Sequence, residues 1–298
     1  MREESSGLST VVIAVAVLAG VGLLAWAYFA KTDPGLLASP ESQVTIPAPP
    51  EPAPADPAPA GLAPETEDPA IANPIEPLEP EEGEEEVIEE PLPALQDSDA
   101  RVKQVIGTML SKRDMLTFLQ LDGFVRKVVA TVDNMGRKHA PPTVWPVIPT
   151  PKKFMTAKGD DGTEVIAPAN SDRYTPFVGV VESVDTAQAA AAYRSLYPLF
   201  QQAYEDLGYP GKYFNDRLVT VLDQMIATPI PSEPLQVSLV EVKGSVPSLR
   251  PWVRYEFVDP AYADLSAGQK MLLRSGADNQ KRLQAKLKAF RQLVARPR

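Results

Sequence analysis

Four aspartates, Asp133, Asp172, Asp216 and Asp223, are available in the C-terminal part for paired-carboxylate acid–base chemistry. Glycoside hydrolysis by a carboxylate pair needs the two groups about 5–9.5 Å apart in space, and that proximity leaves no mark on sequence spacing. Each aspartate also has a plainer role. Asp172 and Asp216 fall at or near expected helix starts, where a carboxylate complements the helix dipole. Asp133 and Asp223 lie within reach of local Lys or Arg partners. His139, in Gly136-Arg137-Lys138-His139-Ala140-Pro141-Pro142, is the single histidine, and one imidazole reads as a surface-loop residue, since it cannot build a multi-histidine zinc site. The absence of cysteine excludes disulfides, thiolate nucleophiles and Cys-ligated metals, and suits an oxidising compartment. No Gly-x-Ser-x-Gly, Ser-x-x-Lys, phosphate loop or Gly-x-Gly-x-x-Gly occurs. The sequence thus assigns no catalytic residue, no metal and no cofactor.

Two clusters point towards binding. The first is Arg173 and Tyr174 with Tyr197, Tyr204 and Tyr209, to which Arg217 is added as a further candidate. Tyrosine rings stack on sugars or peptides, although at helical spacing they more often line a core with the hydroxyl at its rim. The second is Lys270, Arg274, Lys281, Arg282, Lys286 and Lys288. A basic helical face can meet anionic lipid or a polyanion, but most charged helix faces are simply solvated.

The elements that must position these residues are mainly helical. Val102, Val105, Ile106, Met109 and Leu110 follow the amphipathic template, as do Leu121, Phe124, Val125, Val128, Val129 and Val132. Asp185-x-x-Gln188 resembles a capping box opening a helix that ends at Gly208, with a kink or break expected at Pro198. Phe214 to Met225 forms the next helix, ended by Pro229. Ser266-x-x-Gln269 opens a short helix to Arg274; Gly276 breaks it and Asp278 is expected to cap the last one. Strand patterns are fewer. Phe154–Ala157 and Thr163–Ile166 flank the turn Asp160-Asp161-Gly162, and Leu235–Val242 with Trp252–Val258 offers a second antiparallel pair. The expected class is mainly α with a small β component.

Ahead of this domain the chain changes character twice. Leu8–Ala30 is an uncharged apolar run, long enough for the roughly 20 residues a membrane helix needs. Ala25-Trp26-Ala27 has the form of a signal-peptidase site, but the run exceeds a signal core of about 7–15 residues and only Arg2 precedes it as a basic side chain. Residues 32–96 then hold 16 prolines and 16 Asp/Glu without one Lys or Arg. That composition cannot bury enough surface to offset the entropy of ordering, so a stretched spacer is expected. The organisation read from this is a cytoplasmic tail over 1–7, a retained membrane helix over 8–30, a disordered linker over 31–96 and a periplasmic domain over 97–298. The net charge of −10 divides unevenly: the linker carries −16, while 27 basic and 21 acidic groups give +6 from Asp97 onward. This split predicts transient, salt-sensitive attraction of the linker to the last helices.

Several stretches carry a resemblance. Ala130-Thr131-Val132-Asp133-Asn134, Tyr197 to Tyr204 (YPLFQQAY), Leu207-Gly208-Tyr209-Pro210 and Leu265 to Arg274 (LSAGQKMLLR) resemble a bacterial membrane-anchored family known as a domain of unknown function, DUF3014. The resemblance implies a Gram-negative envelope protein of this anchor–linker–domain plan. It implies no activity, cofactor or catalytic residue. The expected function is therefore a non-enzymatic binding or scaffold domain, anchored in the inner membrane through residues 8–30. Its expected partner is an envelope protein, an anionic polymer or lipid, and not nucleic acid. A periplasmic carboxylate-dependent hydrolase or transferase acting on envelope polymers is the alternative. The oligomeric state is left open.

Overall fold

The apolar periodicities of the C-terminal part become helices almost one for one. The computed structural model describes residues 71–75, 91–240 and 254–296. The expected membrane helix, and most of the expected linker, lie outside these residues. Among the described residues no helix is long and apolar enough to cross a membrane.

Helix α1 (Asp99–Gly107) buries Val102, Val105 and Ile106. Met109 and Leu110 continue its apolar spacing but lie beyond its end, with Leu110 still buried. Helix α2 (Lys112–Phe118) starts at Ser111, whose hydroxyl accepts the Asp114 N–H at 3.1 Å. Helix α3 (Phe124–Met135) takes its cap from a neighbour: Asp99 accepts the N–H groups of Gly123 at 2.7 Å and Phe124 at 3.2 Å. Helix α4 (Ser171–Ser183) carries no expectation from the sequence beyond Asp172 near its start.

Helix α5 (Thr186–Asp206) opens on Asp185, which accepts the Gln188 N–H at 2.8 Å. It runs through Pro198 without the break that is one of the two outcomes expected there. Leu196, Tyr197, Leu199 and Phe200 are buried on both sides of the proline, so tertiary packing outweighs one lost backbone hydrogen bond. Helix α6 (Phe214–Ile226) follows the glycine-containing turn. The four-residue α7 (Pro260–Ala263) precedes α8 (Ala267–Arg274), which opens on a complete Ser266/Gln269 capping box. The last helix, α9 (Ala277–Val294), is preceded by Gly276 at φ +88°, and Asp278 sits in its first turn instead of capping it. A side chain at 276 would lie 2.9 Å from the Ser171 Cβ, so glycine lets the start of α9 press against the start of α4.

Helix α9 packs on α4, α5 and α6, and α3 packs on α5 and α6. One apolar core fills the space between them, with Tyr193, Phe200, Phe214 and Phe290 among its fully buried side chains. The β component is two antiparallel pairs. β1 (Thr156–Lys158) pairs β2 (Glu164–Ile166), and β3 (Val237–Leu239) pairs β4 (Tyr255–Phe257). A bridge between Val165 and Gln236 joins the pairs. Beneath them Phe154, Leu235, Val237, Phe257 and Leu273 form a smaller core. The architecture is mainly helical with a small strand content.

The folded part reaches further towards the N-terminus than Asp97. Leu95 is buried and Leu92 packs on the main core. Within the expected linker, residues 71–75 are seated on the domain, and Ile75 packs against the core. A few apolar and hydrogen-bonding groups in a proline-rich stretch are enough to order it locally.

Candidate functional site

The residues that set this sequence apart converge at the C-terminal end of α3. Asp133, on the buried face of α3, has 4% of its surface exposed. Its Oδ1 accepts from Arg217 Nε at 3.1 Å. Its Oδ2 accepts from Arg137 Nη2 at 2.6 Å and from the Tyr209 hydroxyl at 3.1 Å. Arg217 Nη2 also donates to the Asp133 carbonyl at 2.5 Å, and Arg137 Nη2 reaches the Tyr209 hydroxyl. Helical spacing delivers Arg137 at i+4, whereas α6 delivers Arg217 from 84 residues away. The approach is close: a side chain at Gly136 would stand 2.8 Å from the Arg217 guanidinium.

Two other helices, α5 and α8, lock onto this cluster. Tyr204 stacks on Tyr209 with ring centroids 4.5 Å apart. Gln201, one turn earlier on α5, accepts the Phe214 N–H at 2.9 Å and donates to the Lys212 carbonyl at 2.9 Å, fixing the start of α6. The Ala267 N–H of α8 donates to the Arg137 carbonyl at 2.6 Å. Asp133 is thus enclosed by three donors. Chemically it is the hub of an ionic and aromatic knot that fixes α3, α5, α6 and α8.

The remaining sequence candidates separate into three places. Arg173 is buried, donating to the Pro151 and Lys152 carbonyls at 3.0 and 3.1 Å and to Asn170 Oδ1 at 3.1 Å. It shapes the loop where Lys152 adopts φ +70°. Burial lowers the Arg173 pKa and raises that of Tyr174, opposed in the tyrosine by the positive charges of Arg173 and Arg274. Tyr174 is wholly buried, with the Arg173 guanidinium 5.4 Å from the centre of its ring. Tyr197 lies instead at the head of α6: its hydroxyl donates to Gln201 and accepts the Asn215 N–H at 3.4 Å. Burial raises the pKa of Tyr197 and also of Tyr204, where the Asp133 charge adds to it. Tyr204 and Arg217 meet around Asp133.

The basic set is largely occupied within the domain. Lys270 is half-buried, donates to the Ala263 carbonyl at 3.3 Å, and has its pKa lowered by desolvation. Arg274 donates to the Tyr255 carbonyl at 3.1 Å and lies over the Phe257 ring. Arg282 grips Glu182 of α4 through two contacts, and Lys286 donates to the Val184 carbonyl at 2.6 Å. Lys281, paired loosely with Asp278 at 3.7 Å, and Lys288 stay exposed. His139 is exposed in its loop. Among the described residues no group of three or more His, Cys, Asp or Glu is placed to hold a metal.

One group of polar residues carries no binding role in the sequence reading. At the head of α6, Asp216 accepts the Ala72 N–H at 3.1 Å, and the Asn73 N–H and Nδ2 at 2.7 and 3.1 Å. Asn215 Nδ2 donates to the Asn73 carbonyl at 2.9 Å, and the Arg296 N–H donates to Asn73 Oδ1 at 3.2 Å. Tyr213 accepts the Ile75 N–H at 2.8 Å. The contact differs from the expected attraction between linker glutamates and basic helices, because an uncharged asparagine meets an aspartate. Ile71 and Ile75, flanking Asn73-Pro74 where acidic residues are absent, are the signal in the sequence that marks this segment out.

A family model described as "Protein of unknown function (DUF3014)" matches residues 124–291, from the start of α3 nearly to the end of α9. No curated protein and no solved structure matches the chain.

Proposed function

The chain belongs to the DUF3014 family, and from that premise we propose that it is a non-enzymatic binding or scaffold protein of the bacterial envelope. In this reading residues 8–30 anchor it in the inner membrane with the N-terminus in the cytoplasm. The acidic, proline-rich segment carries the helical domain into the periplasm, where it holds an envelope partner.

The observation that carries the reading is the knot around Asp133. Four distinctive stretches, around 130–134, 197–204, 207–210 and 265–274, meet at or beside this knot, through Asp133–Tyr209, Tyr204–Tyr209, Gln201–Phe214 and Ala267–Arg137. Groups locked in this way make a rigid platform, and rigid platforms present surfaces at low entropic cost. The anchor and the acidic tether then set where that platform works.

The test uses the full chain in cells. Alkaline phosphatase fused after residue 298 is expected to be active, and an inactive fusion overturns the topology. Proximity crosslinking is then compared with a chain in which an unrelated folded domain replaces residues 97–298. Partners captured only by the native domain support the binding role. Identical partner sets from both chains overturn it.

A further inference from the structure

The seated segment at residues 71–75 has an unusual completeness. Every hydrogen-bonding group of Asn73 is engaged: its N–H and Nδ2 by Asp216, its carbonyl by Asn215 and its Oδ1 by the Arg296 N–H. The groups that do this are themselves fixed. Asn215 is fully buried; its Oδ1 accepts from Tyr193 at 3.0 Å, and its Nδ2 also donates to the Val294 carbonyl at 2.7 Å. Tyr213 lies against Tyr197 with ring centroids 5.2 Å apart. The receiving surface is therefore built by α5, α6 and α9, and core contacts hold its Asn215 and Tyr213 in place, which lowers the cost of receiving a ligand.

The chemistry is selective. Two successive backbone N–H groups converge on one carboxylate, a charge-assisted arrangement that only an extended or turning segment with both donors free can make. An aspartate in place of Asn73 would set two carboxylates against each other. An open depression lined by Ala72, Thr220, Asp223, Arg291 and Arg296 adjoins the segment.

We propose that the head of α6 and the end of α9 form a peptide-binding site whose ligand is an exposed polypeptide segment presenting an asparagine, and that residues 71–75 fill it in the resting chain as an internal competitor. Residues 76–90 join this segment to the rest of the domain. A tether of that length holds the internal ligand at an effective concentration on the order of millimolar. A partner segment enters when it outcompetes that concentration or when the internal segment is withdrawn. The inference deepens the binding reading above by naming the surface and the partner's chemistry.

The experiment uses the full chain in detergent micelles and a fluorescent synthetic peptide of residues 68–79. Asn73→Asp sets the internal segment against Asp216 and opens the site. This variant is expected to bind the peptide at least tenfold more tightly than the unaltered chain, with unaltered thermal unfolding of the domain. Binding is expected to vanish when the peptide itself carries the Asn73→Asp change, and when Asp216→Ala is added to the open chain. Amide exchange at Ala72, Asn73 and Ile75 is expected to be slow in the unaltered chain and fast in Asn73→Asp. The proposal is overturned if these amides exchange equally fast in both chains. Equal binding of the native and altered peptides by the open chain, or no binding of either, overturns it too. Domain-dependent partners still captured in cells would then leave the broader binding role standing and remove this site alone.

Discussion

Asp133 and Asp216 are two carboxylates with three hydrogen-bond donors each, yet the protein uses them in opposite ways. Asp133 is enclosed, and its donors are side chains of Arg217, Arg137 and Tyr209. Asp216 lies at the surface end of α6, and its donors come from a short segment outside the helical core. Removing one partner from the first leaves a charge poorly solvated; removing one from the second lets water take its place. The same count of hydrogen bonds therefore makes a permanent joint in one place and a releasable one in the other.

The sharpest way to break this contrast is to remove each carboxylate. Asp133→Ala strands the Arg217 guanidinium and is expected to cost about 3 kcal/mol of unfolding free energy, read from the denaturant midpoint at constant slope. A loss as small as that at an exposed ion pair would show that the knot does not hold the helices. Gly136→Ala tests the knot sterically. The added methyl must displace Arg217, and a cost of about 1 kcal/mol or more is expected. If stability is unchanged, the guanidinium has room to move and the joint is looser than its distances say.

Asp216→Ala should cost the domain less than about 1 kcal/mol while amide exchange at Ala72 and Asn73 rises on the order of tenfold, a local opening without global loss. Equal effects on both measurements would erase the distinction between the two carboxylates. The smallest expected effect is at Glu182, where the Arg282 hydrogen bonds hold the carboxyl below the usual range. Its contribution is therefore present above the unfolded pKa of about 4.3 and is lost as pH falls through the lower folded value. Both side chains are about one-third exposed, so the change is within about 1 kcal/mol. Glu182→Gln should flatten the acid side of the stability curve, and an unchanged curve would assign that slope to other carboxylates.

The two carboxylates also differ in how legible they are in the sequence. The i+4 spacing of Asp133 and Arg137 is readable, and a local basic partner is expected there. Arg217 is a candidate only in isolation, because the pairing depends on how α6 docks across α3. The caps at Asp185 and Ser266 are local chemistry, and they appear as expected. Helix α4 is not legible, since its apolar residues mix with Gly179 and Pro176 and its burial comes from α9. Tyr197 and Tyr204 have the core role their helical spacing suggests, while the basic series of α8 and α9 looks solvated in sequence because its carbonyl partners lie on distant segments. The segment at 71–75 is hidden by its surroundings: proline and glutamate dominate any window wide enough to show periodicity.

The seating of residues 71–75 also sets the path that a mechanical load would take. A pull arriving from residue 70 meets Asp216, Asn215 and the Arg296 N–H before it meets Leu92 or α1, so it enters the domain through α6 and the end of α9. Those few hydrogen bonds yield first. The knot at Asp133 lies further along that path, so the seated segment acts as a fuse that parts before the core is strained.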